Sequence, residues 1–274
     1  MHSGLFWHFI GARQQRLEFI LVFLVTLASG LFMWWQYPLP ATMADSHNYI
    51  TAAIEDRFQI YRPFGYSFFL QMIHLLSPRI EMIMVIQHLL YALSLLWFML
   101  SCAWFFGKQN IILYRLFLCA LLLTPVYWYM SGSIMSDSLY ASLSILWFTA
   151  TLWIAMGKRV VLFSLFQATL LFAMLHTRYI ALFYPLLSIT LFIWALKFRA
   201  WIPVATTLAA LWLFHAQTVA SMAREARMEQ FSTGFAGWQL ANNALHVIPH
   251  VAPEKQPFTS KKLNFIHEIV LMQA

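Results

Sequence analysis

Seven stretches of this chain are apolar for long enough to cross a hydrocarbon core, and that constrains the fold more than any other feature. A core about 30 Å thick takes roughly 20 residues of helix at about 1.5 Å each. The stretches are approximately residues 17–35, 82–106, 112–129, 137–156, 160–175, 179–196 and 201–219. Charged residues make up 10% of the chain, 61% of it is hydrophobic, and the mean hydropathy is +0.68, so the runs are separated by little more than short basic punctuation. In lipid every backbone polar group must be satisfied within the chain, and helices do that segment by segment. The expectation is an all-α polytopic membrane protein with about seven transmembrane helices.

An eighth apolar run, residues 64–76, is shorter and carries Tyr66, Gln71 and His74. Its length suits a helix lying in the plane of the interface better than a span. The distribution of basic residues supports leaving it out of the count. With seven spans and the N-terminus in the cytoplasm, Arg13, Arg16, Lys108, Arg115, Lys158, Arg159, Lys197 and Arg199 all fall inside. The outer loops then hold Arg57, Arg62, Arg79 and Arg178. Counting 64–76 as a span would reverse everything after it and place Lys108, Lys158 and Lys197 outside. Trp34, Trp35 and Tyr37, with Tyr127, Trp128 and Tyr129, form an aromatic belt at the outer interface. Residues 28–30, Ala-Ser-Gly, could be a signal-cleavage region, but the apolar character continues to Trp35 and favours an uncleaved anchor. The expected organisation is a membrane core over 1–219, with its first outer loop at 36–80, and a short outer tail over 220–274.

Several function classes drop out. Cys102 and Cys119 both fall in spans and imply no disulfide framework. The net charge of +7 is explained by topology and lipid headgroups, not by nucleic acid. There is no Gly-rich phosphate loop, no HExxH and no CxxC.

On this topology all three aspartates, Asp45, Asp56 and Asp137, lie outside, together with Arg57, Arg62 and Arg178. In Asp45-Ser46-His47-Asn48-Tyr49, a helix would put Asp45 and Tyr49 on one face. The plainer alternative is that Asp45 or Ser46 caps a surface helix. In Tyr61-Arg62-Pro63-Phe64-Gly65-Tyr66, Pro63 holds Arg62 extended and Gly65 permits a close backbone approach. An interfacial arginine on lipid headgroups is the alternative there. Asp137 opens a span, where a carboxylate is costly unless it caps, pairs or works, and Ser136 is available to cap. Arg178, in His176-Thr177-Arg178-Tyr179, sits at the same depth, with snorkelling as its alternative.

These elements resemble the C-type glycosyltransferase superfamily, and within it the protein O-mannosyltransferase and aminoarabinose-transferase branch. The resemblance rests on an Asp soon after the first span, an Arg-Pro-x-Gly-Tyr element opening an interfacial helix, and an acid opening the span after the second outer loop. It covers roughly residues 15–220. It implies a core of seven spans with in-plane helices in the first outer loop. It also implies transfer of a sugar from a polyprenyl-phosphate donor to an acceptor lipid, glycan or protein on the outer side, with inversion. By the same resemblance Asp45 is the catalytic acid, Asp137 the second acid, Arg62, Pro63 and Gly65 the loop element, and Arg178 the outer basic position. Two departures stand out: Ser46 follows Asp45 where a second acid is frequent, and the tail over 220–274 is short. The acceptor-binding part would then be missing, very small, or supplied by a partner subunit.

Chemically, a phosphate leaving group needs little protonation, so one base and flanking cations make a minimal set. Asp45 is the expected base, and Arg62, Arg178 and Arg57 are the phosphate ligands, with planar guanidinium groups suited to bidentate contact. Tyr49, Pro63 and Gly65 support them. His47 and His176 could hold a divalent metal ion with the acids, although lone interfacial histidines are commoner. The expected setting is a bacterial inner membrane, with membrane lipids as neighbours and no nucleic acid. The competing readings are a non-catalytic scaffold or accessory subunit, and a lipid-binding or transport protein. The last would need polar residues at mid-membrane, where Gln87, His88, Gln167 and His215 are scattered without acidic partners.

Overall fold

The computed structural model describes residues 3–56, 62–107 and 110–226. The chain divides into two units, Met1–Gln59 with Pro63–Gln217 and Ile60–Arg62 with Thr218–Ala274. Arg62 and the last turns of the final helix belong to the second unit, and the rest of the described residues belong to the first.

All regular elements among the described residues are helices. They are α1 (Ser3–Gly11), α2 (Arg13–Gln36), α3 (Ser46–Glu55), α4 (Gly65–Leu76), α5 (Glu81–Phe106), α6 (Ile111–Leu122), α7 (Pro125–Ser131), α8 (Ser136–Ala155) and α9 (Val160–Thr177). A 3-10 turn, Tyr179–Phe183, opens α10 (Tyr184–Leu196), and another, Lys197–Ala200, joins it to α11 (Trp201–Ala226). Five stretches are long and apolar enough to cross a membrane: Gln15–Gln36, Glu81–Phe106, Ser136–Ala155, Val160–Thr177 and Tyr179–Ser221. Their lipid-facing character is visible in Phe23, Leu31, Trp35, Leu93, Trp194 and Trp212, all large, apolar and exposed. This is the surface of an integral membrane protein.

The expected spans depart from separate straight helices in two places. The run over 112–129 is broken into α6 and α7, which make one further span only if a pair bent by 41° counts as one. Pro125 is the cause: it lacks an N–H and holds Thr124 extended, at φ −61° and ψ 117°. Thr124 Oγ1 donates to the carbonyl of Ala120 and satisfies one of the freed acceptors. At the other end of α6, the Asn110 side chain accepts from the amides of Ile112 and Leu113 and caps the helix.

The second difference is the 43-residue stretch Tyr179–Ser221, far longer than one crossing needs. Within it, α10 and α11 pack on α9 in opposite senses. Along α10, Tyr184 meets Trp147, Ser188 accepts from Gln167, and Phe192 packs near Phe163. From the end of the second 3-10 turn along α11 the order is reversed: Ala200 lies with Phe163, Thr207 donates to Gln167, and Phe214 meets His176. The chain turns back at Lys197, which has a φ of 51°.

The bundle therefore has two distinguishable ends. At one, Phe6 of α1 packs edge-on against Trp104 and Trp153, at the ends of α5 and α8. Near that end Glu18 of α2, fully buried, accepts from Arg115 of α6 at 3.3 Å. The other end carries α3 and α4. They are tied together by Gln71 Nε2 donating to the Ala53 carbonyl and by an edge-on contact of Tyr49 with Tyr66. α5 and α8 form the central pair, with α9 packed on the far side of α8.

Candidate functional site

The site is assembled at the α3–α4 end from loops far apart in sequence. After α2 the chain runs extended and forms an isolated parallel bridge between Ala41 and Ser133. The Ala41 amide donates to Gly132, and the Ile134 amide donates to Ala41. This bridge sets α3 beside the start of α8. Ser46 Oγ donates to the Ile134 carbonyl at 2.7 Å and accepts from the Met43 amide, and Tyr49 bonds to Ser136 Oγ at 3.0 Å.

Neither serine acts as a helix cap. Asp45 occupies the N-cap position of α3 without a side-chain cap bond, and Met135 does so for α8. Ser136 was the expected cap for α8, but its hydroxyl is held by Tyr49. Asp45 is half-buried one residue before Ser46, and Asp137 follows Ser136 directly. Each carboxylate is thus the chain neighbour of a serine that helps to join α3 to the start of α8.

Asp137 forms an ion pair with Arg178: Nη1 of the guanidinium donates to Oδ1 of the carboxylate. Both side chains keep contact with solvent, at 25% and 36% exposure, so the pair is screened rather than entombed. Asp137 also lies in the first turn of α8, where the helix dipole favours a negative charge.

α4 reaches the same place through Gly65. A Cβ there would lie 2.5 Å from the carbonyl oxygen of His176, so the backbones of α4 and α9 touch. Pro63 is buried beside it. His176 is partly buried, its Nδ1 at 2.9 Å from the Phe172 carbonyl and its ring between Phe172 and Phe214. His47 lies on the exposed side of α3. Among the described residues no group of three or more His, Cys, Asp and Glu could hold a metal ion. Arg62, half-buried, belongs to the second unit. Arg57 lies outside the described residues.

The chain's polar mid-span residues turn out to be part of this architecture. Gln87 of α5 is fully buried; its Oε1 accepts from the Tyr66 hydroxyl at 3.0 Å. Its Nε2 donates to the carbonyls of Ser131 and Ser133. Tyr127 donates to the Gln87 carbonyl at 2.6 Å. Burial pushes the Tyr66 phenol well above its ordinary range, and Tyr49 and Asp137 push the same way, so it stays a neutral donor. Gln167 does a similar job between α9, α10 and α11. His215 is exposed. Sequence reading missed Tyr66, Gln87 and Ser46 as site-builders. The available signal was an uncharged amide about a quarter of the way down an apolar span, which has to find partners.

No family model, curated protein or solved structure matches this chain.

Proposed function

We propose that this chain is an integral membrane glycosyltransferase that moves a sugar from a polyprenyl-phosphate carrier to an acceptor hydroxyl at the α3–α4 end. The observation that carries the reading is the ion pair of Asp137 with Arg178 at the start of α8, to which Ser46 and Tyr49 join α3, the helix that Asp45 precedes. In this reading Asp45 takes the proton from the acceptor hydroxyl. The acceptor oxygen attacks the anomeric carbon, the bond from that carbon to the phosphate oxygen breaks, and the carrier phosphate leaves with its charge held by Arg178. Asp137 holds Arg178 in place until the donor phosphate competes for it. Arg62 and Arg57 are the remaining candidate phosphate ligands.

The reading includes a topology. α2, α5, α6 with α7, α8, α9, α10 and α11 each cross the bilayer, α3 and α4 lie at the outer interface, and α1 lies inside. It fits a bacterial inner membrane. Membranes containing the chain, given a polyprenyl-phosphate sugar, should release free polyprenyl phosphate, and Asp45→Asn should abolish the release with little loss of folded protein.

A second reading, a scaffold that retains the fold without transfer, is favoured by one observation: Asp137 and Arg178 neutralise each other. A scaffold tolerates Asp45→Asn in every function it supports, so the same variant separates the two.

A further inference from the structure

A groove of about 510 Å³ runs between α2 and α5, away from the aspartates. On α2 it extends from Phe19 to Trp34, and on α5 from Leu96 back to Glu81. Each helix contributes fifteen residues of rise, so both give a length of about 22 Å. That is most of the depth of a hydrocarbon core about 30 Å thick. An apolar groove of that length fits a lipid tail.

Its wall is hydrocarbon because the polar groups behind it turn inward. Ser29 Oγ donates to the Thr26 carbonyl at 3.1 Å and so is left to accept from His88 Nε2 at 2.9 Å. Thr26 Oγ1 and His88 Nδ1 have no partner among the described residues, and both are sealed from the groove surface. Gly30 keeps the floor open; a Cβ there would meet only the His88 ring, at 3.8 Å.

The mouth at the α3–α4 end has a charge preference. Glu81 and Trp34 line it, and among the described residues no Lys or Arg does so. A carboxylate and an indole both attract an ammonium group. Arg79, two residues before Glu81 in the chain, is exposed. We propose that this groove is a binding site for one tail of a zwitterionic phospholipid with a primary-amine headgroup, the ammonium at Glu81 and the tail running down to Leu96. The inference is independent of the transferase reading, since a prenyl phosphate bears only negative charge and would meet Glu81 unfavourably.

The test uses the full chain in bilayers containing equal amounts of phosphoethanolamine-headed and phosphoglycerol-headed lipids with identical tails. Lipids retained after transfer to mild detergent are counted by native mass spectrometry. The amine lipid should be retained in preference by about two- to fivefold, the range for one half-exposed ion pair. Glu81→Gln should bring the ratio to unity without lowering the total, and Gly30→Leu should lower the total without changing the ratio. If Gly30→Leu is not monodisperse, Leu27→Trp, at the groove rim, replaces it. Equal retention of the two headgroups by the unaltered chain, an unchanged ratio in Glu81→Gln, or an unchanged total in the filled groove overturns the proposal. So does preferential retention of an added polyprenyl phosphate over the amine lipid.

Discussion

Asp137 and Arg178, forty-one residues apart, meet as an ion pair across the ends of α8 and α9. Both remain partly open to water, so the pair adds little to folding. Arg178→Ala should lower stability by about 1 kcal/mol or less in a denaturant titration. Exchanging the charges, Asp137→Arg with Arg178→Asp, should recover whatever stability is lost but leave transfer abolished, because a phosphate would then meet a carboxylate where the guanidinium belongs. Recovery of both by the exchanged pair would show that this position serves packing alone.

The contact of Gly65 with His176 predicts a much larger effect. Alanine at 65 forces a Cβ to within 2.5 Å of backbone oxygen, and backbone cannot swing aside as a flexible side chain does. Gly65→Ala should cost about 1–3 kcal/mol and loosen α4 from α9. Accelerated amide exchange over residues 65–76, with α5 unaffected, is the expected signature.

Tyr66 yields a pH prediction. Its phenol is raised in the folded state by burial first and by Tyr49 and Asp137 next. The folded form therefore binds its proton more tightly than the unfolded form does. Its contribution to stability is complete below the ordinary tyrosine value of about 10 and falls as pH rises beyond it. Tyr66→Phe should flatten that alkaline loss. The same variant should cost about 1–3 kcal/mol at neutral pH by leaving Gln87 Oε1 short of its donor.

At the α1 end, Glu18 is fully buried against a half-buried Arg115. Arg115→Leu should destabilise by about 3 kcal/mol, since it takes a guanidinium away from a carboxylate that the fold has already removed from water. Adding Glu18→Gln should restore most of the loss. Thermal unfolding of the single and double variants measures both.

The transverse topology can be read by cysteine accessibility. Cysteines at His47 and Gly157, both exposed and at opposite ends of the bundle, should label from opposite faces of the membrane. The one at His47 should react with an impermeant reagent in intact cells. Labelling of both from one side would remove the proposed orientation.

The apolar helices were legible because hydropathy over twenty residues is a property of side chains alone. α4 emerged close to its expected bounds for the same reason. The 41° break before Pro125 could have been anticipated from that proline, whose ring forbids the preceding turn from continuing straight. The reversal at Lys197 was legible from Lys197 and Arg199 interrupting an otherwise continuous run. The joining of α3 to α8 was not. Ser46 and Gln87 bond to backbone carbonyls of residues 131–134, and a carbonyl is the same whatever residue bears it. Glu18 with Arg115 was a nearer miss, since opposite charges at matching depth in two spans are visible in principle.

Gln87 carries a consequence for how this chain can vary. One amide holds Tyr66 from one loop and two carbonyls from another, so its bearing around the α5 axis matters as much as its chemistry. Removing a single residue between Glu81 and Gln87 would turn that amide by about 100° while leaving the hydropathy of the span almost untouched. The first two turns of α5 should therefore tolerate exchange of one apolar residue for another but not a change in their number. Beyond Gln87, towards Phe106, a lost residue would cost packing but leave both loops in place.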